Sequence, residues 1–308
     1  MGHALAIIGL GKIVRDQHLP ALAGCDALTL AATVDPVAAA LPGVPHFASV
    51  EAMFDAGIRL DAAAICTPPQ MRAAIALPLL ARGIGAFLEK PPAAGMAQAA
   101  LLADAARCSG ATLFTAWHSR MAAGVEPARQ WLAGRVIEEV TITWREDVRQ
   151  WHPLQPWIWQ AGGMGVFDPG INALSILTAI LPDAVMLEAA RLEVPGNCQT
   201  PIAARLSLRS ANGTPITADF DFRQEGEQTW RIRVDTDAGA LLLDNGGAVL
   251  TLPGSAPAIA PDEEYPALYR RFAHLLDTGT SDFDLAPLAL VADAFLLGEV
   301  VQVDDFHE

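Results

Sequence analysis

The chain has 308 residues, with 35 acidic against 20 basic side chains and a formal net charge of −15. That balance argues against nucleic acid or an anionic membrane as the main partner, because either requires a basic face. Hydrophobic residues make up 52% of the chain, yet no uninterrupted apolar run of about 18 residues occurs, so no membrane-spanning helix is predicted.

The length fits one large or two medium domains. Met1-Gly2-His3 leads directly into Ala4–Ile8 with no basic region ahead of it, so no secretion signal is expected. Cys25, Cys66, Cys108 and Cys198 lie far apart with no CxxC spacing. The expectation is a cytoplasmic protein with reduced thiols and no structural metal.

In chain order, β-rich runs at Leu5–Ile8, Leu28–Val34, Ala62–Cys66, Ala86–Leu88 and Thr112–Trp117 alternate with helical stretches. The helices expected between them include Val50–Asp55, Arg72–Arg82 and Met96–Cys108. Alternating β and α units predict a doubly wound parallel sheet with right-handed crossovers. After a helix at Val125–Leu132 the rhythm changes to strand-like alternation at Ile137–Trp144, Met186–Val194, Ala203–Arg209, Ile216–Phe222, Trp230–Val234 and Ala240–Leu243. Turn signals at Asn212-Gly213 and Asp244-Asn245-Gly246-Gly247 join some of these. Helices at about Pro266–Leu276 and Leu285–Leu297 end the chain. The fold class expected is α/β: an N-terminal Rossmann domain over residues 1–120, then an α+β domain over residues 121–308 with a large, mainly antiparallel open sheet. Whether the C-terminal helix packs back on the first domain stays open at this point.

Gly9-Leu10-Gly11-Lys12-Ile13-Val14 follows the first strand and precedes a helix. Gly9 permits a tight turn, and Gly11 lets backbone N–H groups approach a pyrophosphate at the helix N-terminus. Val14 takes the slot of the third Gly or Ala, so the fingerprint is incomplete. Asp35 follows the second strand, where a carboxylate binds adenosine ribose hydroxyls; alternatively, Gly9 and Gly11 only mark a tight turn and Asp35 caps the next helix. The order strand, loop, helix, strand, acid favours a dinucleotide. Asp35 would repel a 2′-phosphate, and no Arg occurs between Arg15 and Arg59, which favours NAD over NADP.

Of the 20 basic residues only Lys12 and Lys90 are lysine. Cys66-Thr67-Pro68-Pro69 and Glu89-Lys90-Pro91-Pro92 each end a strand of the first sheet. Ligands of open α/β sheets bind beyond the carboxyl ends of the strands, which directs Lys90 towards the expected nicotinamide. Four of the seven tryptophans (Trp144, Trp151, Trp157, Trp159) lie within residues 144–159, interleaved with Glu146, Asp147, Arg149 and His152. Aromatic faces and paired polar groups suit a sugar; Trp144 and Trp157 are read instead as packing residues. His118 is a weaker substrate candidate, and Tyr265 and Tyr269, on a C-terminal helix, are not expected to act as bases.

With GLGKI at 9–13, CTPP at 66–69, EKPP at 89–92 and GGMGVFDPGIN at 162–172, the sequence resembles the Gfo/Idh/MocA oxidoreductases over nearly its whole length. Within that family its wording looks most like bacterial 1-dehydrogenases of L-arabinose and D-galactose. The resemblance implies NAD(P)-dependent oxidation of an aldopyranose at C1, catalytic Lys90 and a sugar site lined by Asp168 and Asn172 and matched at Glu146 and His152. Asp168 is expected to act with Lys90 in catalysis, and Trp151 and His118 join the expected substrate contacts by their own places in the sequence. Cofactor contacts are expected at Gly9, Gly11, Lys12, Ile13, Asp35, Thr67, Pro68, Glu89 and Lys90. It also implies a homo-oligomer, with a dimer on the C-terminal sheet as the default. Asn172 stands where many members carry His; it orients a hydroxyl but accepts no proton. A non-catalytic sugar sensor on the same fold, or a dehydrogenase of cyclitols or dihydrodiols, are the other readings.

Overall fold

The structure is a computed structural model that describes residues 2–307. The chain divides into two compact units: one holds the residues up to Trp117 together with Tyr265–Leu285, and the other holds His118–Glu264 together with the residues from Ala286 onward.

The first unit is built on six strands: β1 (His3–Ile8), β2 (Leu28–Val34), β3 (His46–Phe47), β4 (Ala62–Ile65), β5 (Gly85–Glu89) and β6 (Leu113–Ala116). All pair in parallel, in the order β3-β2-β1-β4-β5-β6. The strand order reverses between β1 and β4, and in such sheets that switch point is where a dinucleotide lies. Being covered on both faces, the central strands read as continuous apolar runs rather than alternating ones; every residue of β4 is fully buried. On one face Phe87 of β5 stacks on Tyr269 at 5.2 Å and meets Phe272 edge-on at 5.5 Å. Both come from the helix Glu264–Thr278.

The first helix runs from Lys12 to Ala23, with a π-helical stretch at Val14–His18. Val14, in the third-glycine slot, is fully buried. The widened turn coincides with the residue that is too bulky for the usual close approach of helix to strand. Such π-turns concentrate at functional sites.

The second unit carries β7 (Ile137–Arg145), β8 (Val185–Pro195), β9 (Ala203–Ser210), β10 (Pro215–Asp221), β11 (Thr229–Thr236), β12 (Gly239–Asp244), β13 (Val249–Thr251), β14 (Ala258–Ile259) and β15 (Glu299–Val303). Their order is β14-β13-β12-β11-β7-β10-β9-β8-β15. Most pairs are antiparallel, but β7 with β10 and β8 with β15 are parallel. Alternation buries Ile216, Ala218 and Phe220 of β10 on one face and turns Asp219 and Asp221 to the other. The inner face is covered by the helix Phe167–Ile180, where Phe167 packs on Phe220 at 5.8 Å and on Phe295 at 5.5 Å. The outer face carries much of the arginine as ion pairs, among them Arg145–Asp219 (2.6 Å), Arg223–Glu193 (2.8 Å) and Arg231–Asp244 (2.5 Å).

The helices Val50–Asp55 and Val125–Leu132 have the ends expected from sequence. Strands β3, β13, β14 and β15 and the helix Phe167–Ile180 were not expected. Among the described residues, no helix is long and apolar enough to cross a membrane.

Candidate active site

In the first unit the glycine loop and the acid after β2 are bonded together. Asp35 Oδ2 accepts the Leu10 N–H at 2.8 Å, and Oδ1 accepts the N–H groups of Val37 and Ala38, each at 2.8 Å. Asp35 therefore closes a bend at residues 36–38, where the alternative reading expected it to cap a helix, and ties that bend to the loop. Partial burial opposes its ionisation, but the three backbone donors outweigh it and hold the carboxyl below its ordinary range.

Gly9 has φ of +90°, and a Cβ there would lie 3.1 Å from the Thr67 nitrogen. A Cβ on Gly11 would meet nothing within 4 Å, so the space above it is open. Lys12 forms an ion pair with Asp16 one turn along its own helix, and Ile13 is exposed. Thr67 Oγ1 is buried with no hydrogen-bond partner in the protein. An open approach at Gly11, helix-start N–H groups that lack intrahelical partners, an orphaned Thr67 hydroxyl and spare lone pairs on Asp35 together fit a dinucleotide.

Beyond β5, Glu89 and Lys90 are held by residues from several elements. Glu89 is 4% exposed. Its Oε1 accepts from His18 Nε2 and from the Tyr265 hydroxyl, each at 2.9 Å, and its Oε2 accepts the Lys90 backbone N–H at 2.9 Å. His18 is fully buried and bonds the Tyr269 hydroxyl through Nδ1 at 2.8 Å. Burial opposes a charge on His18, but the Cys66 sulfur and the Glu89 carboxylate favour it, and the net effect raises its pKa to about 10. Burial, with Cys66 and Glu89 nearby, pushes the Tyr269 hydroxyl well above its usual range. The Arg72 guanidinium donates through Nε to the Thr67 carbonyl at 2.8 Å and through Nη1 to the carbonyls of Glu89 and Pro91. The Lys90–Pro91 peptide is cis. Pro68 sits at the start of the helix Pro69–Leu80.

In the second unit a polar group forms around Glu146, which is 5% exposed. Its Oε1 pairs with His152 Nε2 at 3.1 Å, and its Oε2 accepts the Trp230 indole N–H at 2.9 Å. The other His152 nitrogen, Nδ1, lies 3.7 Å from Asp168 Oδ2. Asp168 and Asn172 stand four residues apart on the helix Phe167–Ile180 and so share a face. Trp151 is half exposed and meets Trp230 edge-on at 5.2 Å. The structure thus brings together Glu146, His152 and Asp168, with Trp151 beside Trp230. His118 Nδ1 instead bonds Glu264 at 2.5 Å. Trp144 is buried in β7, as expected of a packing residue.

Sequence reasoning missed Trp230, His18 and Arg72, and it set both tyrosines aside. Trp230 lies directly opposite Trp144 in the β11–β7 pairing, a partnership across 86 residues that no local pattern shows. His18 offered one signal: it stands four residues after Val14 and four before Leu22, on the apolar face of that helical stretch.

Comparison with known proteins agrees with this architecture. The profile described as "Oxidoreductase family, NAD-binding Rossmann fold" (GFO_IDH_MocA) matches residues 4–117. Galactose 1-dehydrogenase of Pseudomonas fluorescens is 43% identical over 308 residues, covering 99% of this chain and 98% of that protein. The crystal structure of D-galactose-1-dehydrogenase from Rhizobium etli superposes with a TM-score of 0.95 at 50% identity, covering 99% of this chain and 98% of that one. The WlbA dehydrogenase from Bordetella pertussis, solved with NADH and UDP-GlcNAcA, shares the fold at a TM-score of 0.84 and 18% identity over 96% of each chain. The chain belongs to the Gfo/Idh/MocA family of oxidoreductases.

Proposed function

We propose that this protein is a nicotinamide-dependent sugar dehydrogenase that oxidises D-galactose or L-arabinose, as the pyranose, at C1 to the aldonolactone, with NAD preferred to NADP. The observation that carries the reading is the full-length similarity to galactose 1-dehydrogenases, at 43% and 50% identity. The bonded set Glu146–His152–Trp230 beside half-exposed Trp151 supports it, because it joins aromatic faces to paired donors and acceptors.

Bound NAD(P)⁺ would accept the hydride released from C1. Gly9, Gly11, Thr67 and Pro68 line its approach, with Lys12 and Ile13 at the helix start, and Asp35 binds the adenosine ribose. Lys90 hydrogen-bonds the C1 oxygen, and Lys90 and Asp168 move the hydroxyl proton as the C1–O bond becomes a carbonyl. Asn172 orients a hydroxyl without titrating. Glu146, His152 and Trp151 read the rest of the ring. D-Galactose and L-arabinose share configuration from C1 to C4 and differ by the hydroxymethyl group at C5, so one site suits both.

Initial rates with D-galactose, L-arabinose, D-glucose and D-xylose, each with NAD and with NADP, test the proposal. Fast turnover of the first two with NAD supports it. A preference for D-glucose or D-xylose, or for NADP, contradicts the corresponding part.

A further inference from the structure

We propose that Glu89, held by His18 and Tyr265, is a positioning residue that fixes the backbone of Lys90 for turnover. The role given to Lys90 rests on the proposed dehydrogenase reading; the bonds themselves do not.

Four segments far apart in sequence converge here: His18 at the end of the π-helical stretch, Arg72 on the Pro69–Leu80 helix, Glu89 at the end of β5, and the pair Tyr265 and Tyr269. The bonds that Glu89 and Arg72 make to the main chain reach residues 89–91 and Thr67. Glu89 Oε2 takes the Lys90 N–H, while Arg72 takes the carbonyls on either side of Lys90. The segment that carries Lys90 is thus fixed through one donor and two acceptors of its main chain.

Stability alone is a poor reason for this arrangement. A carboxylate at 4% exposure and an imidazole at 0% lose their hydration on folding, and apolar groups of the same shape often serve the fold equally well. What charged, fully bonded groups add is geometric definition. The carboxylate suits the task because it accepts at both oxygens: two donors on Oε1 and one on Oε2. Glutamine cannot reproduce this. Whichever way its amide lies, an NH2 group faces an N–H or O–H donor. The loop then has to shift, and misplacement of a reacting group by about 1 Å lowers turnover by roughly 10²-fold.

With only two lysines in the chain, selective 15N-lysine labelling gives two backbone amide resonances, assigned with Lys12→Arg. In Glu89→Gln and Tyr265→Phe the Lys90 amide is expected to shift and lose protection from exchange while the Lys12 amide stays in place. Over the same variants, kcat with D-galactose should fall, by roughly 10²-fold for Glu89→Gln and less for Tyr265→Phe, with KM for NAD held within about threefold. A Lys90 amide that does not move, or a moved amide with undiminished kcat, overturns the proposal. If Glu89→Gln does not fold, Tyr265→Phe carries both readouts. If the unmodified protein turns over no aldose, the dehydrogenase reading falls, and the Lys90 amide still reports whether Glu89 fixes that backbone.

Discussion

Asp35 Oδ2 accepts the backbone N–H of Leu10 at 2.8 Å, so the acid after β2 and the glycine loop after β1 form one hydrogen-bonded unit. The carboxylate proposed to bind the adenosine ribose thereby also shapes the glycine loop. In Asp35→Asn the charge is lost and an NH2 group faces either the Leu10 donor or the Val37 and Ala38 donors. NAD affinity should fall about tenfold, the equivalent of one charge-assisted hydrogen bond, and the ratio of NAD to NADP affinity should narrow. Fluorescence titration with both cofactors measures it.

The two glycines of the loop should fail differently. Gly9→Ala puts a side chain at φ of +90° and 3.1 Å from the Thr67 nitrogen, so it should lower stability by about 1–2 kcal/mol, visible as a lower Tm without cofactor. Gly11→Ala meets nothing within 4 Å, so its Tm should match the unmodified protein while its NAD affinity drops, because the methyl group occupies the pyrophosphate's approach.

His18 gives the fold an alkaline limit. Burial opposes its charge, but Cys66 and Glu89 favour it and raise its pKa from 6.5 to about 10. A folded-state pKa above the unfolded value means that the stabilisation is fully present below pH 6.5 and is lost as the pH rises through about 10. In His18→Gln the fall in Tm over that window should be shallower, and the variant should lose most relative to the unmodified protein at the acid end. Thermal melts across the window decide it.

Trp230 supports Glu146 through a single indole N–H at 2.9 Å. Trp230→Phe keeps a ring against Trp151 and leaves one oxygen of a buried carboxylate unpaired, a change of about 1–3 kcal/mol. If the Glu146–His152 pair reads sugar hydroxyls, KM for D-galactose should rise roughly tenfold while KM for NAD stays unchanged. A rise in both would assign Trp230 to the fold alone.

The parallel βα repeats and the strand-end motifs were legible because they depend on local periodicity and on Gly and Pro. The helix Phe167–Ile180 was not, because Pro169 and Gly170 read as breakers. Pro169 falls in the first turn, where a missing N–H leaves no bond broken. Gly170 lies against the Phe220 ring, which a Cβ would approach to 3.1 Å. The parallel pairs of the second sheet, β7 with β10 and β8 with β15, join segments dozens of residues apart and have no local signature. Lys90, Asp168, Glu146 and His152 could be singled out from motifs and composition, whereas the residues that hold them, His18, Arg72 and Trp230, are defined only by contacts made through space.

The central claim is a dehydrogenase whose turnover depends on Lys90. The most direct test is the initial rate of NADH formation from D-galactose by the unmodified protein and by Lys90→Ala, with NAD affinity measured in parallel. The account expects steady NADH formation by the unmodified protein, and a fall of about 10²–10⁴-fold in kcat for Lys90→Ala with NAD affinity retained. No NADH from the unmodified protein despite NAD binding, or near-full turnover by Lys90→Ala, would contradict it.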